Sequence, residues 1–135
     1  MSLNLPLVSI IIPSFNHDHF IATAIDSVLN QDYPHLECIV IDGGSTDESA
    51  DIISRHAGDL AYWVSEADSG QTDALIKGFQ RATGEINGWV CSDDLLLPGA
   101  LETVGRFFAD NPGVMAVYGD ALWIEANIKE PELPR

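Results

Sequence analysis

Two hydrophobic periods take turns along the chain. Residues 7–12 (LVSIII) form a β-branched run closed by Pro13, the pattern of a strand covered on both faces. A helical period follows, in which Phe20, Ile21, Ala24, Ile25, Val28 and Leu29 share one face. Asn16 is placed to cap that helix, and Asp32-Tyr33-Pro34 ends it. Residues 36–41 (LECIVI) predict a second buried strand that runs into Asp42, and Gly43-Gly44 predicts a turn. Ser45 or Thr46 then caps a helix with Asp47 and Glu48 in its first turn, where carboxylates favour the dipole. Further strands are predicted over residues 60–64, 85–90, 114–118 and 121–124. Helices are predicted over residues 72–83, with Gly84 past the end, and from Pro98 to the break at Asn111-Pro112-Gly113.

This alternation predicts an α/β fold: a Rossmann-like, mostly parallel sheet with helices on both faces. Ligands of such sheets bind outside the carboxyl ends of the strands. Acids fall at four of those ends, as Asp42, Asp68, Asp93-Asp94 and Asp120, and residues 13–16 follow the first strand. Asp93-Asp94 carry the strongest chemical signal. Read as a pair closing a buried strand, they are costly without a cation beside them, and two carboxylates suit a hard Mg²⁺ or Mn²⁺. Gly43-Gly44-Ser45-Thr46 reads first as turn and cap, because it lacks the lysine of a phosphate-binding loop. His17 and His19, two residues apart, do not share a helix face and predict no metal site. Lys77 is read either as solvated or as a cation for the acidic cluster or a phosphate. Trp89 is expected in the core.

Composition narrows the classes. The 135 residues suit one domain with a proper core. Six Lys plus Arg against 21 Asp plus Glu give a net charge of −15, which argues against nucleic acid as partner. The same charge repels an anionic ligand unless a metal or helix N-termini intervene. Cys38 and Cys91 lie in apolar runs and read as reduced structural thiols, so the expected location is cytoplasmic, with peripheral attachment at the inner face of a membrane as the variant. Residues 1–5 are expected outside the folded part. The polar, Pro-rich stretch 127–135 reads as a cut within a larger domain.

The motifs resemble family 2 glycosyltransferases of the GT-A fold. VSIIIPSFN (residues 8–16) resembles the opening strand and nucleotide loop, and AIDSVLNQDYP (24–34) the first helix. IVIDGGSTD (39–47) resembles the second strand and turn, and SEADSGQTDALIKG (65–78) with ATGE (82–85) the central segment. Ser92-Asp93-Asp94 resembles the metal-binding DXD region, with Ser92 in its first position, and Ile76 stands where relatives often carry Asn.

The resemblance implies a nucleoside-diphosphate sugar as donor, a UDP-sugar favoured. Pro13, Ser14, Phe15, Asn16, Asp42, Gly70, Lys77 and Asp93 are the implied donor-site residues. Asp42 would accept from a base N–H, Asp93 would sit near the ribose, and Asp94, with Asp93 beside it, would ligate Mg²⁺ or Mn²⁺. The implied reaction is inverting hexosyl transfer to a hydroxyl acceptor such as a glycan or lipid-linked sugar, as in polysaccharide synthesis. The family's base usually comes from later sequence, so it is expected beyond Arg135, with Asp120 the one late candidate here; the 135 residues alone are then expected to be inactive. Oligomeric state is left open. The alternatives are a catalytically incomplete nucleotide-binding module and a receiver-type Mg²⁺-binding signalling domain. The receiver needs an acidic pair after the first strand, where this chain has Pro13-Ser14. A nucleotidyltransferase needs a Gly-rich basic loop there, which is absent.

Overall fold

In the computed structural model, residues 4–124 are described. Four strands, β1 (Val8–Ser14), β2 (Leu36–Asp42), β3 (Tyr62–Ser65) and β4 (Ile86–Trp89), form one sheet in the order β3-β2-β1-β4. Every pairing is parallel; Val8 lies opposite both Leu36 and Ile86, and Asp42 opposite both Ser14 and Ser65. The helices are α1 (Ile21–Leu29), α2 (Ser49–Arg55), α3 (Gln71–Arg81) and α4 (Ala100–Asp110), with a 3₁₀ turn at Ala57–Asp59.

The β-branched runs explain the layering. Along β1 and β2, Val8, Ile10, Ile12, Cys38 and Val40 pack with Ile21, Ile25 and Val28 of α1, Ile53 of α2 and Leu101 of α4. Their neighbours Ile11, Ile39 and Ile41 point the other way, onto Ala74, Leu75 and Phe79 of α3. Side chains alternate across a strand, so runs apolar at successive positions, as in residues 10–12 and 38–41, fit a sheet covered on both faces. Burial in this core pushes the Cys38 thiol up to about 12, which keeps it protonated and inert.

Several expectations are corrected. The sheet holds four described strands, because residues 114–124 adopt no regular structure. Met115 is 94% exposed and Trp123 fully exposed, so this apolar stretch neither pairs with the sheet nor covers a face of it among the described residues. Trp89 is 57% exposed on β4 and stacks edge-on against Phe79 with ring centroids 6.4 Å apart. β4 pairs on one side only, and Trp89 points away from the core. Asn16 does not cap α1, whose first turn has no side-chain cap. α2 starts at Ser49 rather than after Ser45, and Asp47 Oδ1 accepts from Ser49 N. Pro98 precedes a left-handed Gly99 (φ 82°), and α4 begins only at Ala100. Leu5 packs against the core, so the folded part begins earlier than expected; residues 1–3 and 127–135 lie outside the described residues. No described helix is long and apolar enough to cross a membrane.

Candidate functional site

A parallel sheet collects its loops at the carboxyl ends of the strands, and here they enclose a cavity of about 480 Å³. Pro13, Ser14, Phe15 and His17 come from the end of β1 and its loop, and Gly43 from the loop after β2. Asp68, Gly70, Gln71 and Ala74 come from the β3–α3 connection and α3, and Cys91, Ser92 and Asp93 from the loop after β4. Of the sequence-derived candidates, Pro13, Ser14, Phe15, Gly70 and Asp93 line it.

The loops are stitched by short polar side chains. Asp42 is 0% exposed. Its Oδ1 accepts from Ser45 Oγ at 2.6 Å; its Oδ2 accepts from Ser65 Oγ at 2.7 Å, Ser45 N at 2.8 Å and Gly44 N at 3.2 Å. These bonds offset the burial of a carboxylate. They tie Asp42 to its own loop, and its neighbour Gly43 lines the cavity. Asn16, at φ 51°, likewise faces the other loop: its backbone N–H donates to Ser45 Oγ and its Oδ1 accepts from Thr46 N, both at 2.8 Å. Asp18 N donates to Asp47 Oδ2, and Glu48 N to Asp18 Oδ2. Burial alone raises the Asp47 carboxyl, but hydrogen bonds from Ser49 and Asp18 outweigh it and hold the group below the usual range. The GGSTD turn is therefore a clasp between the β1 and β2 loops.

Close approach explains its glycines. A Cβ on Gly43 would meet Asp68 Oδ1 at 2.8 Å, and one on Gly44, at φ +84°, would meet the backbone of Ala67 at 3.0 Å.

Asp93 and Asp94 lie in an exposed turn beyond β4, closed by Asp94 N donating to the Cys91 carbonyl at 2.9 Å. That corrects the premise that a buried acid pair demands a cation: these acids are solvated, and no burial cost forces one in. Asp94 flanks the cavity wall rather than lining it. The stretch after them is anchored on α1, with Leu96 N donating to Ser27 Oγ and Gln31 bonded to both Leu97 O and Leu101 N. Lys77 is off the wall. It pairs with Glu66 at 3.4 Å and Asp73 at 3.8 Å, as a cation for the acidic cluster. Asp120 is exposed in the irregular stretch and also lies off the wall.

Sequence reasoning gave no role to three wall residues. His17 Nδ1 meets Ser92 Oγ at 2.6 Å, tying the β1 loop to the β4 loop. Gln71 Nε2 donates to Cys91 Sγ at 3.1 Å. Burial, with the charges of Asp94 and Asp93, pushes the Cys91 thiol up against that bond, so it is no nucleophile at neutral pH. Their adjacency to the recognised loop residues was the available signal. Ser14 Oγ is the remaining wall feature: Ser14 is 5% exposed, and its hydroxyl has no protein partner. A buried hydroxyl without a partner is uncommon and points to a group that fills the space beside it.

Known proteins resemble this chain in sequence and fold. An uncharacterised glycosyltransferase of Nostoc sp. (strain PCC 7120) is 35% identical over 113 residues, covering 80% of this chain and 35% of its own length. S. aureus TarS in complex with UDP superposes with TM-score 0.72 at 27% identity, covering 78% of this chain and 33% of that one. A mannosyltransferase of Pyrobaculum calidifontis in complex with GDP-Man and Mn²⁺ gives TM-score 0.67 at 33% identity, covering 78% and 32%. The chain thus spans about a third of the length of these relatives. Residues 9–127 match the family described as glycosyl transferase family 2. On that match and the GT-A architecture of its sheet, the chain belongs to glycosyl transferase family 2.

Proposed function

We propose that the cavity binds a nucleoside-diphosphate sugar, and that the protein transfers the sugar to a hydroxyl acceptor with inversion. The observation that carries this reading is a cavity at the carboxyl ends of parallel strands, walled by Ser14, Phe15, Gly43 and Asp93 from three of the strand-end loops, in a chain of this family. The relatives' bound ligands, UDP in one and GDP-Man with Mn²⁺ in another, support the ligand class.

Each wall group has work to do in that reading. The Phe15 ring, 58% exposed, offers an apolar face for a base to stack on. Ser14 supplies a hydrogen bond from the β1 loop, and Asp93 an acceptor for ribose hydroxyls. Gly43 and Gly70 keep side chains out of the ligand's path. The first turn of α3, from Gln71, sets unpaired backbone N–H groups and the positive end of a dipole against phosphate.

The residues fit a divalent metal of the Mg²⁺ or Mn²⁺ class. Asp93 and Asp94 are adjacent, exposed oxygen donors, and the described residues hold no group of three His, Cys, Asp or Glu that would close a site without substrate. Asp94, with Asp93 beside it, would hold the ion, leaving positions for diphosphate oxygens and water. When bound, the metal supplies Lewis-acid stabilisation of the departing nucleoside diphosphate. Abstraction of the acceptor proton is not assigned to Asp120, which stands off the wall. The reading includes a cytoplasmic location, supported by the two unpaired thiols Cys38 and Cys91.

Binding is the apt test for a chain spanning about a third of its relatives. Thermal unfolding is followed with UDP, GDP, CDP and their sugars, each with and without Mn²⁺. The matching nucleotide at 100 times its Kd should stabilise the fold by about 2.7 kcal/mol. Asp94→Ala should keep the metal-free part of that shift and lose the part added by Mn²⁺. No shift with any nucleotide would contradict the reading, and an undiminished Mn²⁺ effect in Asp94→Ala would remove that residue from the metal site.

A further inference from the structure

The cavity poses an electrostatic problem that the implied metal does not fully answer. Its wall carries two carboxylates, Asp68 and Asp93, and neither lysine nor arginine, in a protein of net charge −15. Lys77, the nearest lysine in sequence to the Asp68 loop, is drawn off to Glu66 and Asp73. The one basic side chain in the wall is His17.

Its ring is held in place. Ser92 is 3% exposed, and the one hydrogen-bond partner of its hydroxyl among the described residues is His17 Nδ1, at 2.6 Å. With Nδ1 engaged by Ser92, Nε2 is the ring nitrogen left for a ligand, and donation from Ser92 Oγ–H to Nδ1 is the arrangement that leaves the ring proton on Nε2. Nε2 has no protein partner among the described residues. The Phe20 ring, edge-on at 6.0 Å, further limits how His17 can turn.

We propose that His17 is a donor-phosphate contact in this cavity, offering its Nε2–H to a diphosphate oxygen, and that Ser92 is the positioning residue that fixes that tautomer. The proposal rests on the nucleotide-sugar reading above. It also accounts for Ser92 in the first position of the acidic triplet: an aspartate there would place a third negative charge on this part of the wall and draw a proton onto Nδ1.

The test compares UDP and GDP with uridine and guanosine by titration calorimetry in EDTA, so that the metal does not mask a direct phosphate contact. The variants are His17→Gln, whose amide nitrogen reaches the place of Nε2, His17→Asn, whose amide reaches only that of Nδ1, and Ser92→Ala. His17→Asn should weaken the diphosphate by about tenfold and leave the nucleoside within about twofold, whereas His17→Gln should retain most of the affinity. Ser92→Ala should weaken the diphosphate as well, and the imidazole ¹⁵N shifts of His17 should lose their Nε2–H signature. Far-UV circular dichroism confirms that each variant is folded, and the Gln–Asn contrast decides the matter if Ser92→Ala is not. Wild-type affinity for the diphosphate in His17→Asn overturns the proposal and leaves the nucleotide-sugar reading intact. Equal weakening by Gln and Asn, or parallel losses for nucleoside and diphosphate, makes His17 a structural tie and also overturns it. If the unmodified protein binds no nucleotide, the underlying reading fails first.

Discussion

Gly78→Leu is expected to cost about 3 kcal/mol or more. α3 lies against β1 and β2 with Gly78 at the closest approach. A Cβ there would overlap Ile11 Cγ2 and come within 3.1 Å of Cγ1 and 3.2 Å of Cδ1. Ile11 is fully buried on a strand paired on both sides, and its β-branched side chain has little rotamer freedom to escape. Helix propensity pulls the other way, since glycine inside a helix costs about 1 kcal/mol relative to alanine, but the overlap is larger. Urea unfolding measures the difference. Gly58→Leu, where a Cβ meets nothing within 4 Å, is the control and should cost little. Pairing Gly78→Ala with Ile11→Ala, which removes both Cγ atoms, should cost less than the sum of the two single changes, a non-additivity expected only if the two positions touch.

Asp42→Ala is expected to cost about 3 kcal/mol and to loosen the cavity at the same time. The substitution strands two backbone N–H groups, Gly44 and Ser45, and two hydroxyls, Ser45 and Ser65. Those hydroxyls can rotate toward water, but the amides are fixed by the turn. Ser45 also accepts from Asn16 N, so the damage should pass from the β2 loop to the β1 loop. Equilibrium unfolding gives the stability, and loss of any nucleotide-induced thermal shift gives the effect on the cavity. Asp42→Asn, which keeps one oxygen acceptor, should fall between the two proteins. If Asp42 instead contacted the base directly, Asp42→Ala would weaken nucleotide binding with little change in stability, the reverse of this expectation.

The layering of the sheet was legible in the sequence. The continuous β-branched runs at residues 7–12 and 36–41 specified a doubly covered sheet, because no other arrangement hides every side chain of such a run. Short strands and helices between them then fixed the parallel topology. Reading failed where burial depends on neighbours that the local pattern does not name. Trp89 has a core residue's composition but sits on a strand with one paired edge, and residues 114–124 look like strands yet find no partner among the described residues. The loops were legible as a set and not one by one. Acids after β2, β3 and β4 marked the cavity's edge of the sheet, but Asp120 follows no described strand, and Asp42 turned inward to hold its own turn while Asp93 stayed on the wall. Side-chain periodicity carries no information about a loop, where hydrogen bonds to residues some 30 positions away decide the direction. The contact of His17 had no local signal, because its partner, Ser92, lies 75 residues along the chain.

Among the described residues, the nucleoside diphosphate is expected in this cavity rather than elsewhere. The second cavity, of about 430 Å³ between Asn4, Glu85 and Phe108, supplies an internal comparison. Backbone ¹H–¹⁵N spectra recorded while UDP or GDP is titrated test the claim most directly. The amides of Ser14, Gly43, Gly70, Gln71 and Ser92 should shift together and saturate with one affinity, while those of Asn4, Leu5 and Phe108 stay in place. Shifts centred on the second cavity, or no saturable shifts with either nucleotide, would contradict it.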